Sequence, residues 1–391
     1  MAIKAQSVRV GVIGGGAAGI ITAKCLRDVG HEVVVFEKYG NVGDVWKYDE
    51  AADAQSSVLY KSLHTNLPTA IMQLKELSFQ KGVPSFPSHV DVLTYLQNYS
   101  KQYEVDKFVR LNSAVTSLSK VSSQWKIGVS SKEKEDYEEG FDRVVVCNGH
   151  FSEPSLASIK GTEHYGGTVS HSRSYRTPVR TRTSVLCGVV VATLDYDPNV
   201  IDPVDPHLFP SDLLFPNAFV QPNGLNDQIA ANLLQCTTNG TAVAPVYKQL
   251  FAIEDPTAAF VGLPFSNLPF LCFQLQARWI ARVFSGSAVF PSKEDMYADF
   301  FAYLGALKDG VRKLHQLGAR QKDCFTELAA LSNFQLGEEI HEIYEDARFF
   351  RQNLPYNYRA AVFTQDEATG KWVRGIKSRD SPSELVEKFS G

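Results

Sequence analysis

The 391-residue chain lacks the marks of several large protein classes. Its six cysteines stand apart at positions 25, 147, 187, 236, 272 and 324, with no CxxC pair and no Cys/His cluster of zinc-ligand spacing. Neither a disulfide framework nor a structural zinc site is therefore expected, and reduced thiols in an intracellular, cytoplasmic setting are. No apolar run approaches the roughly 20 residues that span a bilayer, which predicts a soluble chain with no membrane span. The apolar start VRVGVIGGGAAGIITA is broken by three consecutive glycines where a signal peptide stays unbroken, and it reads as a strand, a glycine turn and the start of a helix. No charge of one sign dominates either. With 39 basic and 43 acidic side chains the net charge is −4, giving no bulk attraction to nucleic acid or anionic lipid. Internal repeats are absent, and GxGxxG occurs once.

That one glycine motif has its full context. Residues 8–13, VRVGVI, read as a buried parallel strand, 14–19, GGGAAG, match GxGxxG, 20–29 can form a helix, and 33–37, VVVFE, read as the next strand. Gly14 permits the tight turn, Gly16 lets the backbone approach a pyrophosphate, and Gly19 lets helix and strand pack closely. The helix N-terminus offers free N–H groups and a positive dipole end to phosphate. Glu37 ends the second strand, where an acid accepts ribose hydroxyls and disfavours a 2′-phosphate. The site thus suits FAD or NAD better than NADP. The alternative, a glycine turn that binds nothing, accounts poorly for strand, helix and acid occurring together.

The segments beyond Glu37 distinguish the dinucleotides. Residues 40–48 read GNVGDVWKY, 59–72 LYKSLHTNLPTAIM, and 86–96 FPSHVDVLTYL. VVVCNGHFSEPSL comes next at 144–156 and YGGTVSHSRSY at 165–175, the latter fitting FxGxxxHxxxY through Tyr165, Gly167, His171 and Tyr175, with tyrosine in the first place. VYKQLFAIEDPTAAFVGLPFSN at 246–267 and FQLQARWIARVFSG at 273–286 complete the series. In this order of segments the chain resembles the flavin-containing monooxygenases along nearly its whole length. The resemblance implies an α/β fold. A Rossmann-like FAD-binding domain of parallel sheet and helices would take residues 1–175, a truncated second dinucleotide (NADPH) region and linker 176–240, and a return to the FAD domain with a helical C-terminal part 241–391.

It also implies a chemistry. NADPH reduces FAD, O₂ adds to give a C4a-hydroperoxyflavin, and one oxygen passes to a soft nucleophile, an amine nitrogen or a sulfur, of a small molecule. By resemblance Asn66 is the catalytic side chain over the flavin, and the FAD contacts are Gly14, Gly16, Ala17, Gly19, Glu37, Lys38, Gly43, Trp46, His64, Thr65, Asn66 and Val115. Other readings stay open. Asn66 can close the turn before Pro68 by bonding its own backbone, and Trp46 can be core. His64 and His89 read by default as surface or cap residues, with Ser88 as the helix N-cap. His171 has no carboxylate nearby in sequence and fits a structural or conformational linker better than a catalytic base. SSKEKEDYEEG at 130–140 reads as a solvated hairpin tip, and 295–350 as helices packed on the body. Arg173, Arg176, Arg180 and Arg182 can meet a 2′-phosphate or form a basic linker without a ligand.

One expected part is missing. In the family, the strand after the His/Tyr fingerprint opens a second Rossmann unit with its own glycine turn. RTSVLCG at 182–188 begins that strand, but VVVATLDY comes directly after it, and ATLDY resembles a segment from the far end of the NADPH domain. The chain thus passes from the domain's first strand to near its last. Three functions remain in view: an active monooxygenase using NADPH held differently or a separate reductase; an FAD-binding protein without self-reduction, as a degenerate paralogue or partner subunit; and a flavin oxidase or disulfide-type reductase. The reductase form needs a redox CxxC or CxxxxC that the sequence lacks. Substrate identity and homo-oligomer formation are open.

Overall fold

The computed structural model describes residues 7–51, 58–149, 242–307, 313–354, 357–366, 372–377 and 385–388, with short pieces at 164, 169–171, 176, 185–187 and 190–192. The first unit is β1 (Arg9–Ile13), α1 (Ala17–Asp28) and β2 (Glu32–Phe36). After a short helix α2 (Thr69–Met72) comes α3 (His89–Gln102). Ser88 caps α3 as expected, in a reciprocal box with Asp91: Ser88 Oγ accepts from Asp91 N and Asp91 Oδ2 from Ser88 N. Next come β3 (Val109–Arg110), a meander of β4 (Ser113–Val121), β5 (Gln124–Ser131) and β6 (Tyr137–Phe141), and β7 (Arg143–Val146). Residues 132–136 form the exposed tip between β5 and β6, in line with the charged hairpin read from the sequence.

Further on are β8 (Val169–His171), β9 (Val185–Cys187), β10 (Val190–Ala192), β11 (Val246–Tyr247), β12 (Phe251–Ala252) and β13 (Ala258–Phe260). The C-terminal part carries helices α4 (Pro269–Phe284), α5 (Lys293–Gly305), α6 (Gln321–Ser332) and α7 (Glu339–Asn353). It ends in strands β14 (Ala361–Gln365), β15 (Trp372–Lys377) and β16 (Leu385–Lys388), paired as an antiparallel sheet. The helices match the expectation for 295–350. The closing sheet adds to it, built from short segments whose pairing partners are each other rather than the main sheet.

The main sheet runs β11-β12-β13-β7-β1-β2-β3, with β13, β7, β1, β2 and β3 mutually parallel. Its strands read as unbroken apolar runs because both faces are covered. Val10, Val12, Val33, Val35 and Val145 face a core shared with α1, α3 and α4. Ile13, Val34, Phe36, Val144 and Val146 face a second core against Trp125, Ile127 and Phe141 of the meander. The α1 connection goes to β2 on one side of β1, while β7 and β13 lie on the other. The crevice beyond the carboxyl end of β1 is therefore a topological switch point, where open α/β sheets bind ligands.

The meander is tied to the sheet by charge. Glu139 on β6 bonds Arg9 of β1 and Arg110 of β3. Burial works to raise the Glu139 carboxyl pKa, but the guanidiniums of Arg110 and Arg9 outweigh it and hold it below the usual carboxylate value. A depressed folded pKa means stability that is present above the unfolded value and is lost as pH falls through the folded one. Glu139→Gln is expected to destabilise the fold by about 1–2 kcal/mol at neutral pH, with the difference from the unsubstituted chain vanishing in acid. Urea titrations across that pH range check it.

The valine-rich run, read as a junction between an entering strand and a segment from the domain's far end, holds two strands. Val185–Cys187 and Val190–Ala192 are two strands paired antiparallel, Cys187 with Val190 and Val185 with Ala192, and β8 adds to β10's other edge. The strand propensity and the break after residue 188 were legible; the antiparallel pairing of the two pieces was not, because valine favours a strand without naming its partner. Most of the span 176–240 lies outside the described residues, as do Tyr165, Gly167 and Tyr175 of the fingerprint. His171 ends β8, opposite Val190. Among the described residues no helix is long and apolar enough to cross a membrane.

Candidate functional site

The site is organised by the turn from β1 into α1. Gly14 has φ +105°, a left-handed conformation that costs glycine little. A Cβ there would lie 2.5 Å from the Cys147 carbonyl oxygen, where the chain leaves neighbouring β7. At Gly19 a Cβ would lie 1.8 Å from the Gly14 carbonyl oxygen, so the first turn of α1 sits directly on the strand's exit. Gly16 is the N-cap of α1 and Ala17 its first residue, both buried. Among the described residues no side chain caps this helix start, and its first turn holds no acid. That leaves N–H donors at a positive dipole end for an anionic ligand.

Glu37 lies just beyond β2 and is 2% exposed. Its Oε2 accepts from Gly15 N at 2.7 Å and its Oε1 from Tyr39 N at 2.8 Å. The carboxylate is thus fixed over the glycine turn. Lys38 next to it is exposed, its ammonium over the Tyr39 ring. Gly43, φ +103°, donates to Gly15 O at 3.1 Å, folding the 40–48 loop back on the turn; a Cβ there would meet Leu93 Cδ1 at 2.5 Å. Trp46 comes after it in a single 3₁₀ turn, half-buried, its ring edge-on to Phe270 with centroids 6.4 Å apart. Val115 lies partly buried on β4, the strand whose first residue, Ser113, donates to Glu37 O.

The 64–68 loop bears on the turn-closing reading of Asn66. Thr65, buried, donates its hydroxyl to Leu67 O at 2.8 Å and its N–H to Pro87 O at 2.9 Å. The turn before Pro68 is therefore closed by Thr65. Asn66 is exposed, and its amide makes no hydrogen bond among the described residues. His64 is also exposed, with Nδ1 3.1 Å from Ser62 O. His89 is 6% exposed, and its Nε2 lies 3.2 Å from Lys61 O, which assigns the proton to Nε2 and leaves Nδ1 as a buried acceptor without a partner. Tyr48 OH and Asn41 Oδ1 are orphaned in the same way among the described residues. A cradle that added Cβ atoms would fill, an uncapped helix start and orphaned polar atoms on the adjoining loop together fit a polar dinucleotide such as FAD.

Other sequence candidates are placed differently. Arg176 is 7% exposed and turned inward, with Nε 3.2 Å from Ala51 O and Nη1 3.3 Å from Leu59 O. It holds backbone, in line with the reading of a basic segment without a ligand; Arg173, Arg180 and Arg182 lie outside the described residues. Cys147, beside Gly14, is buried, which pushes its thiol up to about 12. Such a thiol is no redox nucleophile at neutral pH. Sequence reasoning missed Gly262, with φ +88° just past β13, whose N–H donates to the wholly buried Gln276 Oε1 at 3.0 Å. It also missed Arg359, which reaches the 64–65 carbonyls from nearly 300 positions away. No spacing rule connects such distant partners.

Known proteins agree with this geometry. A sequence profile described as flavin-binding monooxygenase-like matches residues 7–195, ending just past the β9–β10 pair. Flavin-containing monooxygenase FMO GS-OX-like 4 of Arabidopsis thaliana is 31% identical over 425 residues, taking in 90% of this chain and 94% of that protein. That alignment is longer than the 391-residue chain, so it contains positions this chain lacks. FMO GS-OX1 of the same plant is 30% identical over 80% of this chain and 82% of its own. Among solved structures, S-allyl-L-cysteine S-oxygenase from Allium sativum matches with a TM-score of 0.72 at 26% identity, covering 91% of this chain and 96% of that one. Tmm from a Pelagibacter species shares the fold, with a TM-score of 0.69 at 16% identity. At the identity and coverage of the Arabidopsis relatives, the chain belongs to the flavin-containing monooxygenases, oxidoreductases that work with FAD and NADPH.

Proposed function

We infer that this chain transfers one oxygen atom from O₂ to a thioether sulfur of a small molecule, with FAD bound in the β1–α1 crevice. Bound FAD supplies the two-electron reduction and the activation of O₂. The chain's residues bind and orient. The helix start at Gly16 and Ala17 takes the pyrophosphate on backbone N–H groups, on a turn that Gly14 and Gly19 allow to close, Glu37 takes a ribose, and the loop of Gly43 and Trp46 closes over the turn. Asn66 carries the reading: its amide is exposed on a loop whose turn is already satisfied by Thr65, so it is free to orient the oxygen being transferred. Sulfur is favoured over nitrogen by the likeness to an S-oxygenase across most of both chains.

A second reading has its own observations. The chain has one GxGxxG, its profile match ends at residue 195, and β9 and β10 pair antiparallel where a strand–turn–helix unit would stand. Without a second glycine turn and helix start, the pyrophosphate of NADPH has no comparable anchor. The chain then binds FAD but takes its electrons from a separate reductase, or uses its flavin without turnover. Anaerobic mixing of FAD-loaded protein with NADPH separates the two. Bleaching of the visible flavin band, with sulfoxide formation from thioanisole on admitting air, is the result expected for a self-sufficient monooxygenase. A flavin that dithionite reduces and NADPH leaves yellow favours the second reading. A reduced flavin that yields hydrogen peroxide and no sulfoxide contradicts the oxygen-transfer assignment.

A further inference from the structure

We propose that Arg359 is a positioning residue for oxygen transfer, fixing the aim of Asn66 by clamping the backbone that carries it; this rests on the oxygen-orienting role of Asn66. Arg359 lies in a single 3₁₀ turn, Tyr358–Ala360, just before β14. Its Nε donates to Thr65 O at 3.1 Å and its Nη2 to His64 O at 3.3 Å. The Thr65 carbonyl belongs to the peptide bond whose nitrogen is that of Asn66, so the plane of that peptide is set by the guanidinium. Nε and Nη2 form one edge of a rigid planar fork, a geometry that a lysine ammonium cannot reproduce. Among the described residues Arg359 has no carboxylate partner, so its polar contacts go to this loop and its cationic face to the Tyr358 ring, 4.7 Å from the centroid.

The clamp is itself held in place. Tyr358 is buried and meets Phe86 edge-on with centroids 5.5 Å apart, and Phe363 N donates to Ser85 Oγ at 3.1 Å. Phe86 precedes Pro87, whose carbonyl accepts from Thr65 N. Residues 358–363, 85–87 and 64–65 thus close a circuit, and Asn66 projects from it without a side-chain bond of its own among the described residues. Its orientation is set by backbone. Arg176 secures the same stretch further upstream, through Ala51 O and Leu59 O. A misplacement of about 1 Å in a reacting group costs on the order of 100-fold in rate, so a loop released from such a clamp loses transfer before it loses its cofactor.

The test uses the full-length, FAD-loaded protein and the variants Arg359→Ala, Arg359→Lys and Asn66→Ala. Hydrogen–deuterium exchange at residues 63–67 is expected to accelerate at least about tenfold in Arg359→Ala, with FAD content unchanged. Flavin is then reduced stoichiometrically with dithionite and mixed with O₂ and thioanisole, which removes NADPH from the question. Sulfoxide per flavin should fall at least about fivefold in Arg359→Ala, with hydrogen peroxide rising to match, and Arg359→Lys should recover only part of the yield. In an Asn66→Ala background, Arg359→Ala should bring no further loss. An Arg359→Ala protein with unchanged yield, beside an Asn66→Ala protein with lost yield, overturns the proposal alone. Unchanged yield in both variants overturns the reading of Asn66 and the proposal with it. Loss of FAD together with yield in Arg359→Ala also overturns it, because the residue then acts on the fold rather than on Asn66.

Discussion

Gly19→Ala is expected to lower the affinity for FAD by at least about 100-fold while leaving a folded chain. The added Cβ would sit 1.8 Å from the Gly14 carbonyl oxygen, a separation no rotamer relieves because both partners are backbone or bonded to it. Either α1 lifts off the end of β1 or the turn opens, and both move the N–H groups of Gly16 and Ala17 away from the pyrophosphate. Overpacking of this kind costs about 1–3 kcal/mol and sometimes more. Here that strain falls on the binding geometry, and about 3 kcal/mol corresponds to a factor of roughly 100 in affinity. Gly30→Ala is the control. Gly30 also has a positive φ, +94°, but no atom lies within 4 Å of its Cβ position. It should lose about 1 kcal/mol of stability from backbone strain and keep its FAD affinity. Fluorescence titration of the apoproteins with FAD, beside thermal melts, distinguishes strain at the cofactor from strain elsewhere.

Asn66→Ala is expected to lower oxygen transfer by about 100-fold, the range found when one preorganised hydrogen-bond donor is removed from a reacting oxygen. Stability should change by less than about 0.5 kcal/mol, because the side chain is exposed and bonds nothing else among the described residues. Asn66→Asp should be no better. It keeps the shape but replaces an N–H donor by an acceptor and adds negative charge where an oxygen must be held. Product analysis after a fixed amount of reductant measures this directly, since lost transfer should reappear as hydrogen peroxide. A loss of stability comparable to the loss of transfer would return Asn66 to the role of a turn residue.

The parts that were legible in the sequence are those encoded within one short stretch. Strand, glycine turn, helix and acid at 8–37 needed no partner from elsewhere, and the structure places Gly14, Gly16, Ala17, Gly19 and Glu37 around one crevice. The Ser88 cap and the 130–140 tip were legible for the same reason. Long-range and symmetric features escaped. The Arg359 contact to residues 64–65 exists because the fold brings remote segments together, and the Gln276 contact to Gly262 because α4 packs back on the end of β13. The division of labour between Thr65 and Asn66 was ambiguous because both are short polar residues suited to a turn before proline. The junction in the valine-rich run was legible, but not that its two strands pair antiparallel.

Oxygen transfer at the bound FAD, whatever delivers the electrons, is the central activity assigned to this chain. The most direct measurement is a single turnover of FAD-loaded protein, reduced with one equivalent of dithionite and mixed with isotopically labelled O₂ and thioanisole. One labelled sulfoxide per flavin, approached in the unsubstituted protein and lost in Asn66→Ala, is the predicted result. Full reoxidation of the flavin with all the label in hydrogen peroxide would contradict it.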